Sequence, residues 1–519
     1  MTILDKITQT ASNYPDRTAY HTFCPDDLKS GGVGSSLNWK QLDDYSSRLA
    51  VYLDRTLTTR KPVVVYGHKN PYMIVCFLAC VKSGRAYCPV DISVPSGRLG
   101  LIIDEVSPEL VLATEELPVH GGNILSLPSV ISVIENETET IDKACRVTGD
   151  DVFYIIFTSG STGTPKGVQI TCACLDRFLE WASGLGGGFE EGEPCTFLNQ
   201  APFSFDLSVM DLYLALYTGG TLWAVDKRVQ GDMKLLLKTL WESGAGVWVS
   251  TPSFADVCLS DRQFGEKLMP KLKRFLFCGE TLTNHTAGRL EAAFPKAEII
   301  NTYGPTESTV AVTEVRVTPR INETYNPLPV GKEKKGTWIL IVDEEGNELP
   351  DGQKGEMVIA GDTVSPGYWK NRKLTEEKFG NREIEGRVYR TYRTGDRGYR
   401  RDGLLFYCGR MDLQVKLHGY RIEIEDIESN LMKLPQVRQA AVVPVMKDGK
   451  ARSLTAYVAV KGTAGEAVWN SFAAAQEIRG LLRQYLPEYM IPKKIVFLDS
   501  LPMTANGKAD RKALGGNGS

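Results

Sequence analysis

Tyr154-Ile155-Ile156-Phe157-Thr158-Ser159-Gly160-Ser161-Thr162-Gly163-Thr164-Pro165-Lys166-Gly167 is the stretch from which the fold can be read. An apolar, β-prone run, Tyr154 to Phe157, feeds a loop of small hydroxyl and glycine residues, and Lys166 closes it. Glycines let backbone N–H groups turn toward an anion, hydroxyls add donors, and a cation offsets phosphate charge. This is the chemistry of a loop that wraps a triphosphate. The spacing is not that of a Walker loop, because no Gly-Lys-Ser/Thr follows four residues after a glycine. A Gly/Ser linker is the bland alternative. Linkers seldom sit tightly between two strand-like runs, and here Val168-Gln169-Ile170 follows at once.

Outward from this loop, strand and helix patterns alternate. Pro62 to Gly67 reads as a buried strand, Pro71 opens an apolar helix that Gly84 ends, and Arg85 to Asp91 is another short strand. Leu110 to Ala113 repeats the theme after a helix beginning near Ser96. Strands are expected at Thr221 to Val225, Gly246 to Ser250, Arg274 to Cys278 and Ile299 to Thr302, with Lys234 to Ser243 helical. That order predicts α/β layers with largely parallel sheets. From about Ile339 the texture changes to short β runs: Trp338 to Val342, Glu356 to Ala360 and Leu404 to Cys408. A charged, strand-poor stretch is expected around Gly409 to Asp412. Beyond it comes a compact α+β pattern, with strands near Ala440 to Val445, Leu454 to Val460 and Ile495 to Leu498 around a helix near Glu477 to Tyr485. The expected division is therefore residues 1–409 and 410–519, the second a normal domain size.

Length and composition bound the function. At 519 residues the chain exceeds a single core. A net charge of −3, from 60 basic and 63 acidic residues, implies no bulk attraction to nucleic acid or anionic membrane. The eleven cysteines have no metal-ligand spacing, so reduced thiols in the cytoplasm are expected. Met1 to Lys6 lacks a basic segment before an apolar core, so no signal peptide is expected. The apolar run Met73 to Val81 is too short to span a bilayer.

Four more clusters carry chemistry. In Asn301-Thr302-Tyr303-Gly304-Pro305-Thr306-Glu307 a strand ends in an aromatic, turns through Gly-Pro and presents a carboxylate. Tyr303 can stack on a purine, Asn301 can read its edge, and Glu307 can hold Mg²⁺ as a hard oxygen ligand. Tyr392-Arg393-Thr394-Gly395-Asp396 is, alone, a common turn. The third cluster runs from Gly409-Arg410-Met411-Asp412 to Glu423, and the fourth is Leu501-Pro502-Met503-Thr504-Ala505-Asn506-Gly507-Lys508.

Taken together and in this order, these motifs resemble the adenylate-forming superfamily, which includes acyl-CoA synthetases, luciferases and peptide-synthetase adenylation domains. Gly84 to Asp91, Gly355-Glu356-Met357, Gly367-Tyr368 and Thr375 to Phe379 fill in the remaining matches, so the resemblance covers essentially the whole chain. It implies a large N-terminal α/β domain of layered, mostly parallel sheets with a small β-barrel-like part, and a small mobile α+β C-terminal domain hinged near Asp412. It also implies ATP as the nucleotide, held by Thr158, Ser159, Gly160, Ser161, Thr162, Gly163 and Lys166, by Asn301, Thr302, Tyr303, Gly304 and Thr306, and by Arg410. By resemblance Asp396 binds the ribose hydroxyls; one carboxylate accepting from a cis-diol is physically sensible. By resemblance too, Lys508 reaches the active site and, with Glu307, is catalytic. When a carboxylate attacks the α-phosphate two anions meet, and a bridging cation offsets their repulsion, a preorganised contribution of about 3–4 kcal/mol.

The acid's identity must come from its pocket. Ala201-Pro202-Phe203-Ser204-Phe205-Asp206-Leu207-Ser208-Val209-Met210 puts one carboxylate in an apolar segment. Buried, it wants a cationic partner unless it caps a helix. In adenylation domains for α-amino acids this position pairs with the substrate ammonium. The wider segment Phe203 to Met210, with Gly219-Gly220-Thr221-Leu222-Trp223 and Ser250-Thr251-Pro252-Ser253-Phe254-Ala255-Asp256, resembles the subgroup that loads D-alanine onto a carrier protein for D-alanylation of teichoic acids. It implies a small amino-acid pocket of Asp206, Leu207, Met210, Cys278, Gly279 and Lys508, with Cys278 favouring the D enantiomer; an inert core cysteine is the alternative. Only eleven residues follow Lys508, so a phosphopantetheine-bearing carrier protein is expected to arrive in trans. Other readings stay open: an L-amino-acid adenylation enzyme of the peptide-synthetase type, an acyl- or aryl-CoA ligase, or a non-catalytic nucleotide-binding regulator.

Overall fold

The computed structural model describes residues 1–26, 34–119, 122–160, 164–189, 194–417, 419–447, 450–460, 472–503 and 509–515. Contacts divide it into two compact units, one of 1–92, 106–156 and 167–411, the other of 93–105, 157–166 and 412–519.

Fully buried runs of apolar residues build the large unit's parallel strands, because both sheet faces are covered there. Val63–Gly67, Tyr87–Asp91 and Val247–Ser250 are buried at every position. A nine-stranded sheet runs in the order Lys332–Glu333, Thr313–Arg316, Glu298–Tyr303, Arg274–Phe277, Val247–Ser250, Thr196–Asn199, Thr221–Val225, Thr18–Phe23, Ser35–Asn38. Its six central strands are parallel and its edges antiparallel. A seven-stranded sheet holds the run that feeds the phosphate loop, Val152–Thr158, parallel to Tyr87–Asp91. The apolar helix Tyr72–Lys82 is buried on all but its first residue.

The small β part is an open five-stranded antiparallel sheet, not a closed barrel: Thr337–Val342 and Phe379–Ile384 end the path without pairing with each other. Its centre is a strand that local reading missed, Arg387–Arg401, fifteen residues long. The Thr394-Gly395-Asp396 segment lies inside this strand rather than in a turn. Gly395 has φ +68, and the register shifts between Asp396 and Gly398, a bulge that re-aims the aspartate. The expected strand-poor stretch is also corrected, since Leu404–Arg410 continues through Arg410 and Gln414–Leu417 follows closely.

In the small unit a hairpin, Gln414–Leu417 with Tyr420–Glu423, precedes helix Ile424–Met432. A three-stranded sheet of Val437–Lys447, Lys450–Val460 and Lys494–Leu498 packs with helix Phe472–Leu482 around Ile427, Leu431, Val442, Val458, Ile478 and Leu482.

Candidate active site

In the large unit, the candidate site gathers at the carboxyl ends of the parallel strands, where open α/β sheets bind ligands. Thr196–Asn199 leads into the loop 200–206, which ends at Asp206 just before helix Leu207–Thr218. Asp206 stands at the N-cap position, yet its carboxylate makes no capping bond. It is 8% exposed, and its Oδ2 accepts from the hydroxyl of Thr306 at 2.7 Å. The helix-cap alternative is therefore set aside. Leu207 and Met210, on the first turns of that helix, are buried beside it in the apolar core.

Strand Glu298–Tyr303 carries the second cluster. The Asn301 amide donates to the Pro329 carbonyl at 2.8 Å, and the Thr302 hydroxyl donates to the Phe277 carbonyl at 2.9 Å. The Tyr303 hydroxyl donates to Asp396 Oδ2 at 2.5 Å, and Arg410 Nη1 donates to Asp396 Oδ1 at 2.8 Å. Burial first, and the Asp396 carboxylate second, push the Tyr303 phenol well above its usual value, which keeps it a donor. A side chain at Gly304 would put Cβ 2.6 Å from Ala311 Cα, so only glycine fits that approach. Glu307 is completely buried, and its Oε1 accepts from the Tyr368 hydroxyl at 2.8 Å.

Directly after Glu307 the backbone is strained. Thr309 and Val310 take φ of +63 and +66, costly for β-branched residues. The strain is held by the Thr309 hydroxyl on the Thr363 carbonyl at 2.9 Å. Cys278 Sγ reaches the Val310 carbonyl at 3.5 Å, so the residue at the end of Arg274–Phe277 touches this turn. Gly279 beside it has φ +90.

The phosphate loop belongs to the small unit. There the hydroxyl of Ser159 donates to the Arg421 carbonyl at 2.9 Å and accepts from Glu423 N at 3.1 Å. Lys166 pairs with Glu423 at 3.7 Å. A Cβ on Gly160 would meet the Thr164 carbonyl at 2.2 Å. Ser161, Thr162, Gly163 and Lys508 lie outside the described residues.

Thus the structure joins Asp206 to Thr306 and Tyr303 to Asp396 and Arg410. Tyr368, which holds Glu307, and Thr306 as the partner of Asp206 were not assigned these contacts from sequence. No local signal gives them, because the partners lie 61 and 100 residues apart.

The chain belongs to the AMP-binding enzyme family, whose model matches residues 7–369; the family's C-terminal domain matches 426–508. Among relatives, the D-alanine--D-alanyl carrier protein ligase of Bacillus cereus (strain B4264) is 45% identical over 99% of this chain and 99% of its own. The protein of the same name from Listeria monocytogenes serotype 4b (strain CLIP80459) is 44% identical over 99% of this chain and 98% of its own. A solved holo NRPS protein containing adenylation and PCP domains, bound to a vinylsulfonamide inhibitor, is 28% identical. Its TM-score is 0.81, covering 99% of this chain and 84% of that one.

Proposed function

We propose that this chain is an ATP-dependent ligase that activates D-alanine as D-alanyl-AMP and transfers it to the phosphopantetheine thiol of a carrier protein, serving D-alanylation of teichoic acids. The full-length likeness to ligases of that name supports the substrate and the carrier. The observation that carries the reading is the 2.7 Å hydrogen bond between Asp206 and Thr306. It ties a buried anion suited to an ammonium to the loop that bears Glu307.

In the first half-reaction Asp206 holds the amino-acid ammonium while one carboxylate oxygen bonds to the α-phosphorus. The bond from that phosphorus to the bridging oxygen breaks, and pyrophosphate leaves with the electron pair. Lys508 offsets the charge that builds up as the two anions meet. Asp396 and Arg410 hold the ribose side, and the loop 158–166 holds the phosphates. In the second half-reaction the carrier thiolate attacks the acyl carbon, and AMP departs with the C–O electron pair.

Among the described residues no group of three or more His, Cys, Asp or Glu could hold a metal. A single buried carboxylate still fits Mg²⁺, which is commonly held by one or two carboxylates together with substrate phosphates. Glu307 is that residue, and Mg²⁺ bound there would help offset phosphate charge. No disulfide joins the eleven cysteines, which fits a reducing cytoplasm, and no described helix is long and apolar enough to cross a membrane.

A domain rotation at Asp412 separates the two half-reactions in this reading, with residues 1–409 and 410–519 as the moving parts. Asp412→Pro then impairs thioester formation more than adenylation; equal loss in both assays argues against that hinge. The deciding measurement is pyrophosphate exchange across D- and L-amino acids. D-alanine is expected to give the fastest exchange, and Lys508→Ala to abolish it while ATP still binds. A preference for an L-amino acid would move the chain to the peptide-synthetase type, and no exchange at all would leave a nucleotide-binding regulator.

A further inference from the structure

Lys69 is a buried cation that neither half-reaction uses. It follows strand Val63–Gly67 and is 2% exposed. Its Nζ donates to Asn199 Oδ1 and, at 2.5 Å, to the Ala201 carbonyl; it also stands 4.3 Å from the centre of the Phe203 ring. Asn199 Nδ2 donates to the same Ala201 carbonyl at 3.2 Å and to Asp211 Oδ1 at 2.8 Å. The Lys69 carbonyl accepts from the Tyr20 hydroxyl at 2.7 Å, fixing the residue from behind.

Burying an ammonium costs free energy unless a carboxylate compensates it. Asp211 acts on it most strongly among the carboxylates, and burial raises that carboxyl above the usual carboxylate range. The groups in direct contact with Nζ are a carbonyl, an amide oxygen and a ring face, while Asp211, Asp91 and Asp226 act on it electrostatically. Such a costly group belongs where it does something besides stabilise.

Its contacts point to what that is. Ala201 and Phe203 open the loop that ends at Asp206. The loop closes on itself through Phe205 N to the Pro202 carbonyl at 3.0 Å, and it passes into the helix through Ser208 N to the Phe205 carbonyl at 3.0 Å. Lys69 grips one end of a short chain of turns whose other end carries the carboxylate. Asn199 and Asp211 tie that grip to the same helix, Leu207–Thr218.

We infer that Lys69 is a positioning residue for amino-acid recognition: by holding the Ala201 carbonyl and the Phe203 ring, it sets the place of Asp206 in the pocket. This rests on the reading of Asp206 as the ammonium partner.

The test is pyrophosphate exchange on the full chain with the amino acid and ATP titrated separately, for wild type and Lys69→Met. The amino-acid KM is expected to rise about tenfold while the ATP KM stays within about twofold. An unchanged amino-acid KM in the folded variant, or an equal rise in both KM values, overturns the role. Should Lys69→Met fail to fold, Phe203→Leu removes the ring from the ammonium and keeps its bulk. A several-fold rise in amino-acid KM alone supports the role, and no rise overturns it. Wild-type exchange with no amino acid at all would instead overturn the functional reading, and this role with it.

Discussion

Two buried aspartates of the large unit invite comparison. Asp396 is 2% exposed and accepts from both the Tyr303 hydroxyl and the Arg410 guanidinium. Asp206 is 8% exposed and accepts from the Thr306 hydroxyl. Arg410 brings a charge to Asp396, and the Thr306 hydroxyl brings a dipole to Asp206. Around Asp396 the protein itself supplies a cation, and such a carboxylate is ready for neutral hydroxyls. In the functional reading, the cation for Asp206 comes with the substrate. The same residue type thus serves a diol in one place and an ammonium in the other, and its neighbours make the difference.

The largest way to break this contrast is Asp206→Asn. Removing one member of a buried charge pair costs about 3–5 kcal/mol, so amino-acid-dependent exchange should fall by two orders of magnitude or more. Nucleotide binding by calorimetry should hold; if it fell equally, the two aspartates would not serve separate ligands.

The buried cation behind Asp206 gives the next effect. Desolvation lowers the Lys69 amine to about 8 from 10.5. The unfolded chain then binds more protons between those values, so stability rises with pH across that window. Relative to Lys69→Met, wild type should gain about 3 kcal/mol between neutral pH and pH above the upper value, read by chemical denaturation. A flat difference would mean that folding leaves the amine titrating as it does in the unfolded chain.

Tyr303→Phe sharpens the other side. It strips one donor from a buried carboxylate, at a cost of about 1–3 kcal/mol. ATP should bind roughly tenfold more weakly, with the amino-acid KM unmoved. The smallest effect is expected at Cys278. Its thiol contacts the strained Val310 turn, and Cys278→Ala should lower the D-over-L preference about fivefold, near 1 kcal/mol. An unchanged preference would return that residue to the role of an inert core thiol.

How far the sequence could be read depended on how local the cause of each element was. Strand Thr221–Val225 has the bounds expected from its apolar run, and helix Met233–Ser243 begins one residue early, where Asp232 caps it through Lys234 N and Leu235 N. Arg387–Arg401 was hidden because its arginines and two glycines argue locally against a strand. It forms because Gly355–Gly361, Phe379–Ile384 and Leu404–Arg410 all pair with it. β-propensity mostly measures such neighbours.

The chain by itself determined the alternation that yields layered sheets, the phosphate loop, and the residue types on which the chemistry draws, since periodicity and turn chemistry act over a few residues. Only the tertiary structure decided that Asp206 meets Thr306 rather than capping its own helix, that Tyr303 and Arg410 converge on Asp396, and that Lys69 grips the loop before Asp206. Those partners come from strands and loops far apart in the sequence. Their juxtaposition depends on how the sheets stack and on the low dielectric that stacking creates, which no local pattern encodes.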